Sequence, residues 1–244
     1  MTKTNETKYK YELTNAKIKD GNIWLQDAFC TICKMHEDKT YVCEFVNMDE
    51  DDNGDSKFYI YERNYIITLA SLFSEYKAEG KNKKLPGLIN GEVAKKLKLQ
   101  KFGDKGYLQK YIEIKQKYEP SYKKREQVHV FPDFLVHESN SFDSSNMSRK
   151  TQHLVMEAKT TEIKTEKFFW FDFLKLNFYL EELQFDNAVY FILGTPLSSI
   201  NSYIQSYMDK IGLTCGDDIN RLFFIVQETI EREPELYVIK KADN

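Results

Sequence analysis

Apolar residues recur along this chain at two periods, and the switches between them outline an alternating α/β succession. Val128 to His137, VHVFPDFLVH, and Gln152 to Lys159, QHLVMEAK, are apolar runs of strand length bounded by polar, turn-forming residues. Between them, ESNSFDSSNMSRKT is too polar to hold a core and predicts a loop returning the second strand beside the first. Asn187 to Gly194, NAVYFILG, reads as another buried strand, with two more from Arg221 to Gln227 and Glu235 to Lys240. Helical spacing predicts helices over Tyr65 to Ala78, Leu85 to Leu99 and Thr165 to Gln184, and a further one begun by Ser198 or Ser199 near Pro196. Tyr111 to Tyr122, YIEIKQKYEPSY, follows period two and predicts a strand, and the acidic DEDDNGD from Asp49 to Asp55 predicts a hairpin turn between YVCEFV and FYIYE.

Candidate chemistry sits at the ends of two of these strands. Asp133 opens the apolar FLV, and LVM runs straight into Glu157. Alternation along the second strand puts Glu157 and Lys159 on one face and the small Ala158 on the other, where a neighbouring element can approach. Two carboxylates buried side by side need a cation between them, and hard oxygen donors with spare coordination positions suit Mg²⁺ or Mn²⁺. Such an ion polarises a phosphoryl oxygen and lowers the pKa of a bound water, while a lysine beside it orients that water or stabilises developing charge. Asp133 and Glu157 are therefore candidate metal ligands and Lys159 a candidate catalytic residue for phosphodiester hydrolysis.

Pro132-Asp133 followed by Glu157-Ala158-Lys159 resembles the PD-(D/E)XK nuclease superfamily. Asp172, Lys175 and Leu176 in WFDFLKLNFYLEEL resemble a D-x-x-K-L pattern of bacterial members. The resemblance spans roughly Leu85 to Gly194. It implies an α/β, restriction-endonuclease-like fold with a mixed central sheet flanked by helices, in which the meander begins with the strand expected at Tyr111 to Tyr122. It adds the Ala158 carbonyl as a metal ligand, and a further glutamate from the first core helix, for which Glu75 and Glu92 compete and Glu92 is nearer to the meander. Lys175 would reach a backbone phosphate or pair with Asp172. The resemblance also implies a nucleic-acid substrate, DNA before RNA, and a setting in defence or a mobile element.

Charge along the chain changes one part of this picture. The formal net charge is −3, but Lys77 to Arg125 carries 15 basic against 5 acidic residues, enough to neutralise several phosphates. Tyr107, Tyr111, Tyr118 and Tyr122 are interleaved with that stretch and are suited to stacking on bases. The 244 residues and 41% hydrophobic content can bury one substantial core, with an N-terminal α+β addition dividing from the nuclease-like core near Glu79 or merging with it. No apolar run has membrane length and the first twenty residues are polar and lysine-rich, so a soluble, cytoplasmic protein is expected. The aromatic helix from Thr165 to Gln184 is apolar nearly all round, which suits a buried helix or a contact with a second copy or a partner.

Cys30, Cys33, His36 and Cys43 supply zinc-type ligands at an unusual spacing, and the first two equally suit small buried positions on a helix over Asp27 to Met35. His129, His137 and His153 flank the two candidate strands, as hydrogen-bonded structural residues or as a proton shuttle.

Overall fold

The structure, a computed structural model, describes residues 10–38, 46–50, 56–60, 62–79, 97–99, 112–117, 128–130, 132–137, 148–211 and 217–242. In chain order these form β1 (Tyr11–Asn15), α1 (Ile23–Glu37), β2 (Val46–Glu50), β3 (Ser56–Ile60), α2 (Glu62–Glu79), β4 (Leu97–Leu99) and α3 (112–117). There follow β5 (Val128–Val130), β6 (Phe134–His137), β7 (Gln152–Lys159), α4 (Glu166–Glu181), β8 (Asn187–Leu193), α5 (Leu197–Ile211), β9 (Leu222–Gln227) and β10 (Glu235–Lys241).

Six strands form one sheet in the order β1-β10-β9-β8-β7-β6. The central β7, β8 and β9 are parallel, and β6, β10 and β1 add antiparallel edges. Parallel neighbours require crossovers, and α4 and α5 supply them on one face. β8 and β9 are buried along their whole length because both faces are covered. Alternation then sorts their side chains. Val155, Tyr190, Ile192 and Phe224 pack with α4 and α5, whereas Leu154, Met156, Ala158, Phe191 and Ile225 pack with α1 and α2. Tyr65 of α2 stacks on Phe191 at 4.9 Å between ring centroids, and Phe73 meets Phe134 edge-on at 5.4 Å. The N-terminal elements β1, α1 and α2 thus share one sheet with the elements that carry the candidate chemistry.

Four sequence expectations change. Residues 112–117 are helical, not a strand; Ile112 and Ile114 are both buried against the α4 side, so a two-residue spacing reflected packing of a short helix. The run from Val128 to His137 divides in two: β5 pairs with β4 in a separate ribbon, and β6 joins the main sheet. Pro132 lies at the division, where it has no N–H to give a ladder. Leu97–Leu99, expected to end a helix, is the strand β4, paired antiparallel with β5. The expected antiparallel pair has the strands Val46–Glu50 and Ser56–Ile60, with residues 51–55 outside the described ones, so Glu62 begins α2 where it was read as the end of a strand.

Candidate active site

The polar cluster forms at the carboxyl end of β7, the end at which open α/β sheets bind ligands. β6 stops short there. Asp133 keeps the ladder with its own N–H, which donates to the Met156 carbonyl at 3.1 Å, while the chain leaves the sheet at Pro132. The next N–H of β7, that of Ala158, therefore meets a side chain in place of a main-chain carbonyl, donating to Asp133 Oδ2 at 2.8 Å. The Pro-Asp pair ends a strand and substitutes a carboxylate for the missing acceptor.

On the next residue, Lys159 Nζ donates to the Ala158 carbonyl at 3.0 Å and lies 3.1 Å from Asp172 Oδ2 and 3.4 Å from Glu62 Oε2. Helix α4 supplies three residues to the same place. Asp172, Lys175 and Tyr179, spaced by three and four, fall on one stripe that faces the sheet. Lys175 Nζ lies 2.6 Å from Glu157 Oε2 and 2.8 Å from Asp172 Oδ1. Tyr179 donates its hydroxyl to Glu157 Oε1 at 3.1 Å, and Tyr190 of β8 donates to Asp172 Oδ2 at 3.3 Å. The result is a chain of alternating charge, Glu62–Lys159–Asp172–Lys175–Glu157, with Asp133 beside it.

Burial sets the electrostatics of this cluster. Glu157 is 1% exposed, and desolvation drives its carboxyl well above the usual range against the pull of Lys175. Asp133 and Glu62 are raised by the same cause, only partly offset by the Ala158 N–H at the first and by Lys159 at the second. Asp172 goes the other way. Burial would raise it too, but Lys175 and Lys159 together outweigh that cost and hold it below its ordinary value. Desolvation works against both ammonium groups and is overcome by their carboxylate neighbours, so Lys159 and Lys175 stay protonated far above neutral pH. Four carboxylates face two ammonium groups, leaving a surplus of negative charge.

That surplus and the all-oxygen donor set fit a hard divalent cation. Among the described residues no three acidic, histidine or cysteine side chains converge as a metal cluster, because the lysines stand between the acids. Asp133, Glu157 and the Ala158 carbonyl are oxygen donors of the kind Mg²⁺ favours.

Asp133, Glu157, Lys159 and Lys175 thus come together at the carboxyl end of β7. Glu92 lies outside the described residues, as do Cys43 and most of the basic stretch with Tyr107, Tyr111, Tyr118 and Tyr122. Glu75 falls on the backbone of α2, its side chain outside the description. The acid that α2 brings to Lys159 is Glu62, missed because the helix was read as starting at Tyr65; its signal was position, one turn before Tyr65 and Ile66 on the face that meets the sheet. Asp172 was noted for its spacing and not as a site residue, and Tyr179 and Tyr190 were counted as core.

Other candidates lie apart. His153 stacks on Trp24 at 5.0 Å, six residues back along β7 from Lys159, roughly 20 Å at strand spacing. His137 is buried opposite Gln152, at that same far end. His36 Nδ1 meets Gln227 Nε2 at 3.0 Å, Gln26 donates to Cys30 Sγ at 3.1 Å, and burial pushes the Cys33 thiol up to about 11. The aromatic residues of α4 are enclosed by the sheet and α5, with Phe168 half-exposed. No helix among the described residues is long and apolar enough to cross a membrane.

In comparisons with known proteins, no family model matches the chain, and neither a curated protein nor a solved structure does.

Proposed function

We propose that this chain is a metal-dependent nuclease with a restriction-endonuclease-like core, hydrolysing phosphodiester bonds in DNA before RNA. One observation carries the reading: Asp133, Glu157, Lys159 and Lys175, each singled out by motif, converge at the carboxyl end of one strand. The substrate preference and a setting in defence or a mobile element rest on the resemblance alone.

Asp133, Glu157 and the Ala158 carbonyl would hold Mg²⁺ or Mn²⁺, which supplies Lewis-acid polarisation of the phosphoryl group and a water of lowered pKa. The protein's own groups do the rest. Lys159 is the most accessible ammonium of the pair, with a quarter of its side chain exposed, and its N–H groups can orient the attacking oxygen and stabilise charge that develops on the phosphate. Asp172 and Glu62 fix where that ammonium sits. Lys175 is more deeply buried and serves Glu157, whose ionised form it favours in a site that otherwise penalises charge.

A second reading, a nucleic-acid-binding module that does not cut, draws on the engagement of both Glu157 oxygens by Lys175 and Tyr179. Cleavage separates the two. Plasmid, linear and single-stranded DNA and RNA are incubated with Mg²⁺, Mn²⁺ or EDTA, using wild type, Asp133→Ala and Lys159→Ala. Metal-dependent cutting abolished by both substitutions in folded protein is the expected result; binding without cutting favours the module, and neither activity refutes both.

A further inference from the structure

We propose that an open cavity at the amino-terminal ends of β8 and β9 is a second ligand site, one that takes a phosphate-bearing ligand. The cavity has a volume of about 660 Å³, within the range of small-molecule sites. It lies at the opposite end of the sheet from the acidic cluster. Asn187, on its wall, pairs in register with Leu154, whereas Lys159 pairs with Ile192, a separation of five residues or roughly 16 Å along the strands. The site therefore does not rest on the nuclease reading.

Its charge is the reverse of that of the cluster. Lys17, Lys19, Arg221 and Lys240 line it, with Asp186 the acidic residue among the lining groups. Lys17, Lys19 and Lys240 make no ion pair among the described residues, so their charge is available to a ligand. Arg221 is fixed in place by donating to the carbonyls of Phe185 and Asp186 at 2.7 and 3.2 Å. Three lysines that make no ion pair among the described residues, beside an arginine held by carbonyls, suit phosphate oxygens.

The polar groups between these cations are engaged with one another. Asn22 and Asn187 exchange amide hydrogen bonds at 2.9 and 3.1 Å, and Asn187 also donates to Asp186 Oδ2 at 3.1 Å. Committed to that exchange, Asn22 gives no side-chain cap to α1, whose first turn has no acidic residue. The positive end of a fifteen-residue helix consequently opens beside the lysines. Gly21, with φ of +92°, supplies the left-handed turn that leads into it. The lysines and the helix terminus together suit the phosphates of a ligand.

The test titrates the full chain with ATP, pyrophosphate, a 5′-phosphorylated trinucleotide and adenosine by calorimetry, with EDTA present so that no ion bridges a probe to the acidic cluster. Saturable binding of phosphate-bearing probes, with none by adenosine, is expected. The Lys19→Gln/Lys240→Gln double variant should weaken it about tenfold or more. Circular dichroism and melting confirm that this surface variant is folded, and Lys17→Gln repeats the comparison in a second background. Preference for ATP identifies a free nucleotide and preference for the trinucleotide a strand end, and both support the site. Absence of saturable binding, equal binding of adenosine, or affinity indifferent to the lysine substitutions in folded protein overturns it.

Discussion

Lys175 and Glu157 form the tightest ion pair of the candidate active site, 2.6 Å between Nζ and Oε2, with the carboxylate 1% exposed and the ammonium also bound to Asp172. Removing one partner of a buried pair leaves an uncompensated charge. Lys175→Met is therefore expected to cost about 3–5 kcal/mol. At this chain length that is a melting-temperature fall of about 2–4 °C per kcal/mol, measured by calorimetry. Glu157→Gln in the same chain should restore part of the loss, because the orphaned charge is gone. A double-mutant cycle that shows no coupling would refute the pairing.

Asp172 touches both lysines and has no role at the reacting phosphate in the proposed mechanism, which makes it a positioning residue. Asp172→Asn should lower kcat by about 10- to 100-fold, the usual loss when an outer-shell partner is removed, with little change in KM for the nucleic acid. A structural role alone would lower stability without this split. Steady-state kinetics on folded variant protein distinguish the two.

The acid contributed by α2 can be identified by comparison. Glu62 Oε2 lies 3.4 Å from Lys159 Nζ, and its carboxylate feels the charges of Asp133 and Asp172. Glu62→Gln should reduce cleavage by about tenfold or more and leave stability nearly unchanged, since its side chain is more than a third exposed. Glu75→Gln, on the same helix, should cleave as wild type does. The reverse outcome would return Glu75 to the site.

The parts of this arrangement that were legible in the sequence are those specified by neighbours in the chain. β7, β8, β9, β10 and α4 follow from apolar runs and helical spacing, and the link of Pro132 to Asp133 and of Glu157 to Lys159 is local. What escaped depends on distance. Glu62 reaches Lys159 across 97 residues, and Tyr190 reaches Asp172 only because β8 pairs with β7 in one register. Periodicity alone also failed at 112–117, where burial of Ile112 and Ile114 against α4 favoured a helix over the strand that a two-residue spacing predicts. The pairing of β1 with β10, whose partners stand more than two hundred residues apart, was equally invisible to local pattern, although it decides that α1 and α2 cover the same sheet as the site.

Proton linkage gives the last expectation. Glu157 has a folded pKa raised well above its ordinary value of 4.5 by burial, and Asp133 and Glu62 are raised from 3.8 and 4.5. For a raised carboxyl the folded state holds the proton more tightly than the unfolded state. Stability therefore falls as pH climbs from the ordinary pKa to the raised one. Asp172 has the opposite sign: its lowered pKa contributes stability above 3.8 that is lost as pH falls through the folded value, so it is already fully expressed near neutrality. Both lysines are raised from 10.5, and their contribution is fully present throughout this window. Without divalent ions, the melting temperature should decline on going from pH 5 to pH 8, because burial makes the folded state hold the Glu157 proton more tightly than the unfolded state does. Mg²⁺ or Mn²⁺ binds the ionised carboxylates of the folded state, so it should raise the melting temperature more at pH 8 than at pH 5. Asp133→Asn should diminish that difference, and EDTA should remove it. Equal stabilisation at both pH values, or none at either, would mean that the carboxylates do not take an ion.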